Sequence, residues 1–265
     1  MNLRTLTDAA FGPDPARWPL PAAPTPGGLW LRAVAAGGQG RYGTARADLD
    51  ELLRREPAGR LGSLASSTHA SFLRQTGWHE LARGWDGRAW ALAGDDPECA
   101  VDALVGLAAD ALGVGRFSAS AALLERARDV HDSADVLPAR LAIRLSWVRA
   151  ELAMVAGEGP DAVKHARRGV ELTESALPAL RRHRVKSDVI LAAALCCAGE
   201  LAASRELADT ALAATSEYGL MPLNWAAASL LADIGSAVRS PAAVEAARDR
   251  GAVFVTRHGG RWNRR

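Results

Sequence analysis

One short pattern recurs along the chain and constrains its fold more than any other feature. A glycine is followed by residues at helical spacing: Gly40, Tyr42, Ala45, Leu49 and Leu52, with Pro57 beyond them. Gly115, Phe117, Ser120, Leu124 and Ala127 repeat it, as do Gly157, Gly159, Ala162, Ala166 and Gly169, then Gly199, Leu201, Ser204, Ala208 and Ala211. A weaker copy is Gly77, His79, Ala82, Asp86 and Ala89, in which Asp86 takes a place that is apolar elsewhere. Helix formers precede each glycine, for example Leu104, Leu107, Ala108 and Ala111. Glycine at a bend, with small residues on the helix that follows, predicts two helices folded closely against each other. One such hairpin cannot bury its own apolar face, so stability has to come from stacked neighbours.

With the glycines set at one repeat position, units begin near residues 26, 63, 101, 143, 185 and 221, in steps of 36 to 42 residues. Pro57, Pro97, Pro138, Pro178 and Pro222 fall near the joints, where proline is tolerated. β-branched alternation is nearly absent, so no strand is expected. This spacing resembles the second half of a tetratricopeptide unit, whose period is 34 residues. The longer steps imply longer loops and extra helical turns, and the family's usual first-helix Trp, Gly and Tyr are mostly missing. The resemblance implies an all-α, right-handed α-solenoid of five tetratricopeptide-like hairpins, closed by a capping hairpin from Pro222 to Gly235 and from Pro241 to about Arg250. Segments such as GLAADALGVG and RHRVKSDVILAAAL are also similar to uncharacterised helical-repeat proteins of actinobacteria, which implies no activity.

Three segments are expected. Residues 1–28 hold Pro13, Pro15, Pro19, Pro21, Pro24 and Pro26 and read as an extended arm with a short helix over 3–10, pinned to the body by Trp18. Residues 29–250 form the repeat domain. Residues 251–265 read as a flexible basic tail, because Gly259-Gly260 interrupts any helical pattern.

Composition excludes several classes. A formal charge of +2 is too small for a general nucleic-acid binder, although the segment from 239 to 265 carries seven Arg against Glu245 and Asp249. No stretch reaches the length of a transmembrane helix, and the start lacks a signal-like apolar core, so a cytoplasmic, non-membrane protein is expected. Cys99, Cys196 and Cys197 are too few for a disulfide framework and read as packed thiols. The six histidines have no metal-ligand spacing. GLAADALGVGRF follows no strand and ends without Lys-Ser/Thr, so it is a hairpin turn and not a phosphate loop. No nucleophile elbow occurs. The chain is expected to be no enzyme and to need no cofactor or metal.

In tetratricopeptide arrays the first helices line a concave groove, and the resemblance places Trp30, Trp147 and Trp225 at one groove-facing position. Arg140, Arg144 and Glu151 lie on the face of Trp147, and Lys186 is the counterpart of Arg144 in the next unit. These residues suit a carboxylate, since Arg holds one bidentately and Lys adds a point charge. In this reading Trp147 stacks on the guest and Glu151 orients Arg144. A packing role for the tryptophans stands beside it. The run RRHRVK at 181–186 reads as a solvated face or as part of a ligand site. The expectation is an adaptor that holds a protein or peptide partner, acidic or ending in a free carboxylate. The alternatives are a regulator of transcription that uses the basic tail and a small-molecule sensor with an apolar pocket around Trp147 and Trp225.

Overall fold

The five repeat glycines Gly40, Gly77, Gly115, Gly157 and Gly199 all adopt positive φ, between 75° and 86°. In each case the residue after the glycine donates its amide to a carbonyl five residues back: Arg41 to Ala36, Trp78 to Leu73, Arg116 to Ala111, Glu158 to Ala153 and Glu200 to Leu195, all at 2.8–2.9 Å. This bond defines the Schellman close of a helix, which a side chain at the left-handed position opposes. The computed structural model describes residues 2–263, and these bends set its plan.

Among the described residues there are thirteen helices and no strand. After α1 (Asn2–Phe11), six hairpins follow. Their first helices are α2 (Pro26–Gly38), α4 (Gly59–Gln75), α6 (Pro97–Gly113), α8 (Ala139–Ala156), α10 (Arg181–Cys197) and α12 (Met221–Ile234). Their second helices are α3 (Tyr42–Arg55), α5 (His79–Ala93), α7 (Phe117–Asp132), α9 (Gly159–Glu174), α11 (Leu201–Glu217) and α13 (Pro241–Arg257). Each helix packs on its hairpin partner, and each first helix also touches the first helix of the next hairpin.

The small residues sit where the spacing places them. Ala45, Ala82, Ala89, Ser120, Ala127, Ala162, Ala166 and Ser204 are completely buried. Asp86 is as buried as the apolar residues that share its repeat position. The aromatic two residues after the glycine differs between units. Tyr42 is buried, packs on the Phe72 ring at 5.2 Å and donates to Gln75 Oε1, whereas Phe117 is 45% exposed.

α4, α6, α8 and α10 each begin four residues before the expected unit start, so the long repeat period is partly an extra turn at the head of these helices. Glu98, Arg140, Arg182 and His183 all lie on those added turns.

The two ends of the array meet. The Gly43 amide donates to the His258 carbonyl at 2.7 Å, Arg46 to the Gly259 carbonyl at 2.5 Å and the Trp78 indole to the Arg261 carbonyl at 2.6 Å. The Asn263 amide donates to Thr76 O at 2.8 Å, and Trp262 packs on Trp225 with ring centroids 4.4 Å apart. The expected flexible tail from 251 is therefore the end of α13 plus a docked strap, and Arg264 and Arg265 lie outside the described residues. The Gly259-Gly260 pair permits the docking, because a Cβ on Gly259 would stand 2.9 Å from the Gly43 nitrogen and one on Gly260 2.9 Å from the Tyr42 ring.

The N-terminal arm folds back as well. Gln39 donates to the Pro15 and Arg17 carbonyls at 2.8 and 3.0 Å, and the Arg41 guanidinium lies 3.9 Å over the Trp18 ring. Trp18 pins the arm from outside. Phe11, at the end of α1, reaches inward to Trp30 at 5.3 Å and His183 at 6.1 Å. Cys99 is buried as expected, but Cys197 is exposed at the end of α10. No described helix is long and apolar enough to cross a membrane.

Candidate functional site: a chamber inside the first helices

The six first helices surround a partly open chamber of about 410 Å³, which Phe11 enters from α1. Trp30, Arg140, Arg144, Trp147, Glu151, Lys186 and Trp225 are all on its wall. The apolar lining comes from residues such as Val34, Phe72, Val105, Leu112 and Val189. The charged lining is unequal: Arg74, Arg140, Arg144, Arg182 and Lys186 face it, against the carboxylates of Asp102 and Glu151.

Trp147 is a wall and not an open stacking floor. It is buried, its indole N–H donates to Ser187 Oγ at 2.8 Å, and Gly169 of α9 lies behind its ring. His183 stacks on it at 5.6 Å and Lys186 Nζ lies 4.4 Å from the ring centroid. Trp30 donates to Thr68 Oγ1 at 3.0 Å.

The expected Glu151–Arg144 pair is corrected. Arg144 pairs with Asp102 of α6, one wall over, and Arg140 bonds Asp102 at 3.1 Å and Glu98 at 2.5 Å. Glu151 instead faces Lys186, whose positive charge counteracts the rise that burial imposes on the Glu151 pKa. The i,i+7 separation of Arg144 and Glu151 favours partners on neighbouring helices over each other.

A second network runs from Arg74, on the wall, to two carboxylates behind it. Arg74 of α4 pairs with Asp86 of α5 and, at 3.2 Å, with Asp110 of α6. Asp86 also accepts from Ser67 Oγ at 3.0 Å. The lack of a side chain on Gly106 makes room for it, since a Cβ there would run into the Asp86 carboxylate. Burial raises both carboxyl pKa values, and the neighbouring Asp86 helps push Asp110 to about 7. Neither carboxylate opens on the chamber.

The RRHRVK run splits between inside and outside. Arg181 reaches Tyr218 OH at 3.2 Å and Arg184 reaches Glu174 and Asp188 at 2.7 and 3.0 Å, all on the outer side. Arg182, His183 and Lys186 face the chamber. Their i, i+1 and i+4 spacing is one helix face, which was the available signal for Arg182 and His183. Burial, then Arg144, Arg74 and Arg182, lower Lys186 to about 8 against the pull of Glu151. Burial and Arg140 lower Arg182 to about 10. Burial, then Arg182, Arg140, Arg144 and Lys186, hold His183 neutral.

Asp86, Asp110, Arg182, His183 and Phe11 are the site residues that the groove positions did not select. The basic C-terminal stretch is partly paired: Arg239 bonds Asp209 at 2.5 Å. No cluster of metal-ligating residues occurs among the described residues. No known family model matches the chain, and no curated protein matches it.

Proposed function

We propose that the chain is a non-catalytic binding protein that holds a small organic molecule in its central chamber, within a right-handed superhelix of tetratricopeptide-like hairpins. The observation that carries this reading is the meeting of the array's two ends around the cavity. The ends of the array meet through the strap at 258–263, and Phe11 projects into the space that an extended peptide would need. A volume of about 410 Å³ falls in the range of small-ligand pockets. The wall combines apolar surface with a few polar groups, as such pockets do. Asp86 and Asp110, the carboxyls best suited to acid/base work, lie behind the wall, which supports binding over catalysis.

The test is ligand-dependent thermal stabilisation across a library of metabolites, with Ala109→Trp as the blocked form. A ligand of the chamber stabilises the wild type and not Ala109→Trp. Stabilisation of both equally, or of neither by any member, refutes the chamber as a ligand site.

A second reading, the protein-interaction adaptor, draws on the rim. Val136 and Leu177 are 89% and 95% exposed in successive loops that join one hairpin to the next. Large apolar side chains exposed at loop tips suit a protein contact. Loss of a co-purifying partner with Val136→Asp, Leu177→Asp would favour that reading, and an unchanged partner set would remove it.

A further inference from the structure

The chamber wall identifies the chemistry of its guest, if the small-molecule reading above holds. We infer that the guest is an organic carboxylate whose acidic head sits at the first turns of α10, between Arg182, His183 and Lys186, with its apolar body lying toward Val105, Leu112 and Val189.

The argument begins with unmet partners. Arg74, Arg140 and Arg144 each hold a carboxylate. Among the described residues no carboxylate lies within ion-pairing distance of Arg182 or Lys186. Arg182 makes one 3.3 Å bond to the Ala10 carbonyl, and its buried Nε is unpartnered. Its side chain passes over Gly38, where a Cβ would stand 2.8 Å from its Cδ, so a bare stretch of α2 makes room for it. Lys186 rests on the Trp147 face with Glu151 as its nearest opposing charge. His183 is only 4% exposed, and its Nδ1 has no partner. Buried polar groups are normally satisfied, and two unpartnered ones on one helix face, with the Lys186 ammonium beside them, are costly without a bonding guest.

The charges around this point share a sign. The four that act most strongly on His183 are Arg182, Arg140, Arg144 and Lys186. An anion among them would satisfy donors from one helix turn and offset repulsion between guanidinium groups. The neutral His183 adds a hydrogen-bond donor without further charge. A carboxylate fits this small convergent set, and the large apolar remainder of the wall calls for a hydrophobic body on the same molecule.

Lys186 itself favours an ammonium role. Thirty of the 32 basic side chains are arginine, and one of the two lysines stands in this chamber. A lysine is a compact point charge that suits one oxygen of a head group whose other oxygen is held by a guanidinium.

The experiment compares three probes by calorimetry: decanoate, its uncharged analogue decanol, and inorganic phosphate. Each is titrated into the wild type, Lys186→Met, Arg182→Met and the outward-facing control Arg181→Met, with folds checked by circular dichroism. The expected result is decanoate binding to the wild type and to Arg181→Met. It should weaken by about tenfold or more in Lys186→Met and Arg182→Met, the scale of one charge-assisted hydrogen bond. Decanol should bind all four forms alike. If decanoate and decanol bind equally well, or if Lys186→Met leaves decanoate unaffected, the anion assignment falls and the chamber reading survives. If phosphate binds and decanoate does not, the apolar body is wrong. If none of the three binds, the carboxylate inference falls, while the wider reading is still decided by the Ala109→Trp test.

Discussion

Replacing Arg74 by methionine isolates the network behind the chamber wall. The side chain of Arg74 is 10% exposed and lies between Asp86 and Asp110, both fully buried. Removing the cation strands two carboxyl groups in an apolar layer between α4, α5 and α6. Breaking a buried ion pair from one side costs about 3–5 kcal/mol when the orphan stays charged. Here the orphans have an exit, because a carboxyl can take up a proton. Both pKa values already stand above normal, Asp110 at about 7, and both rise further without Arg74. A carboxyl whose folded pKa exceeds its unfolded value adds stability that is complete below the unfolded pKa and is lost as pH rises through the folded one. The penalty of Arg74→Met is therefore small near pH 4 and largest above the raised pKa values, reaching about 3–5 kcal/mol near pH 8. Such a loss is a large part of a domain's net stability of about 5–15 kcal/mol. Urea unfolding followed by circular dichroism at a series of pH values measures it. A penalty that does not change with pH, or one below about 1 kcal/mol at pH 8, refutes the account of Arg74 as the charge that keeps the two carboxylates ionised. Arg74→Met combined with Asp86→Leu and Asp110→Leu should recover most of the loss, since an apolar set of similar volume often replaces a buried ionic one without cost.

Three further outcomes follow from the same structure. Gly115→Ala should cost about 1–2 kcal/mol by urea unfolding, all of it backbone strain at φ 76°, because nothing lies within 4 Å of the added methyl group. Asp110→Asn should become more stable relative to the wild type as pH rises from about 4 to about 7, by up to about 1.4 kcal/mol per unit, because it removes a proton that only the folded wild type binds in that window. Truncation after Arg257 removes the strap and its bonds to Thr76, Gly77 and Trp78, so amide exchange at Gly43 and in the α4–α5 turn should accelerate while α8 and α9 keep their protection. Equal protection throughout would show that the strap does not hold the ends together.

The repeat plan was legible because its cause is local. A glycine at positive φ and a small residue every third or fourth position are demands of a close helical bend, and each shows in the order of residues around Gly40, Gly115 or Gly199. Asp86 was visible as a break in that order, but its meaning was not. Its partners Arg74 and Asp110 lie twelve residues before it and twenty-four after it, on other helices. Their pairing depends on a space opened by Gly106 that no periodicity reveals. The strap misled for a similar reason. Gly259-Gly260 has the composition of a loose end, and only the arrival of Gly43 beside it turns that composition into a docking surface.

The extra turns join these observations. Lengthening α6, α8 and α10 at their heads carries Glu98, Arg140, Arg182 and His183 beyond the layer that the groove positions describe. An open solenoid would spread such residues along a rim in water, where long charged side chains gain little from one another. Closing the array brings them around one space, where burial first and then the neighbouring cations depress Lys186 and keep His183 neutral. Closure also sets how the cluster is partnered. Glu98 and Asp102 are taken up by Arg60, Arg140 and Arg144 on adjoining helices, which leaves Arg182 facing α1 and α2, where it meets the Ala10 carbonyl while Asp8 pairs with Arg4. The anion site proposed at α10 thus follows from how the two ends of the array meet. A variant that opens the ring without touching α10, such as truncation after Arg257, should return Lys186 toward the ordinary lysine range near 10.4 as water enters. Direct titration of the Lys186 amine by NMR tests this, and a pKa unmoved by the truncation would disconnect the charge cluster from the closure of the fold.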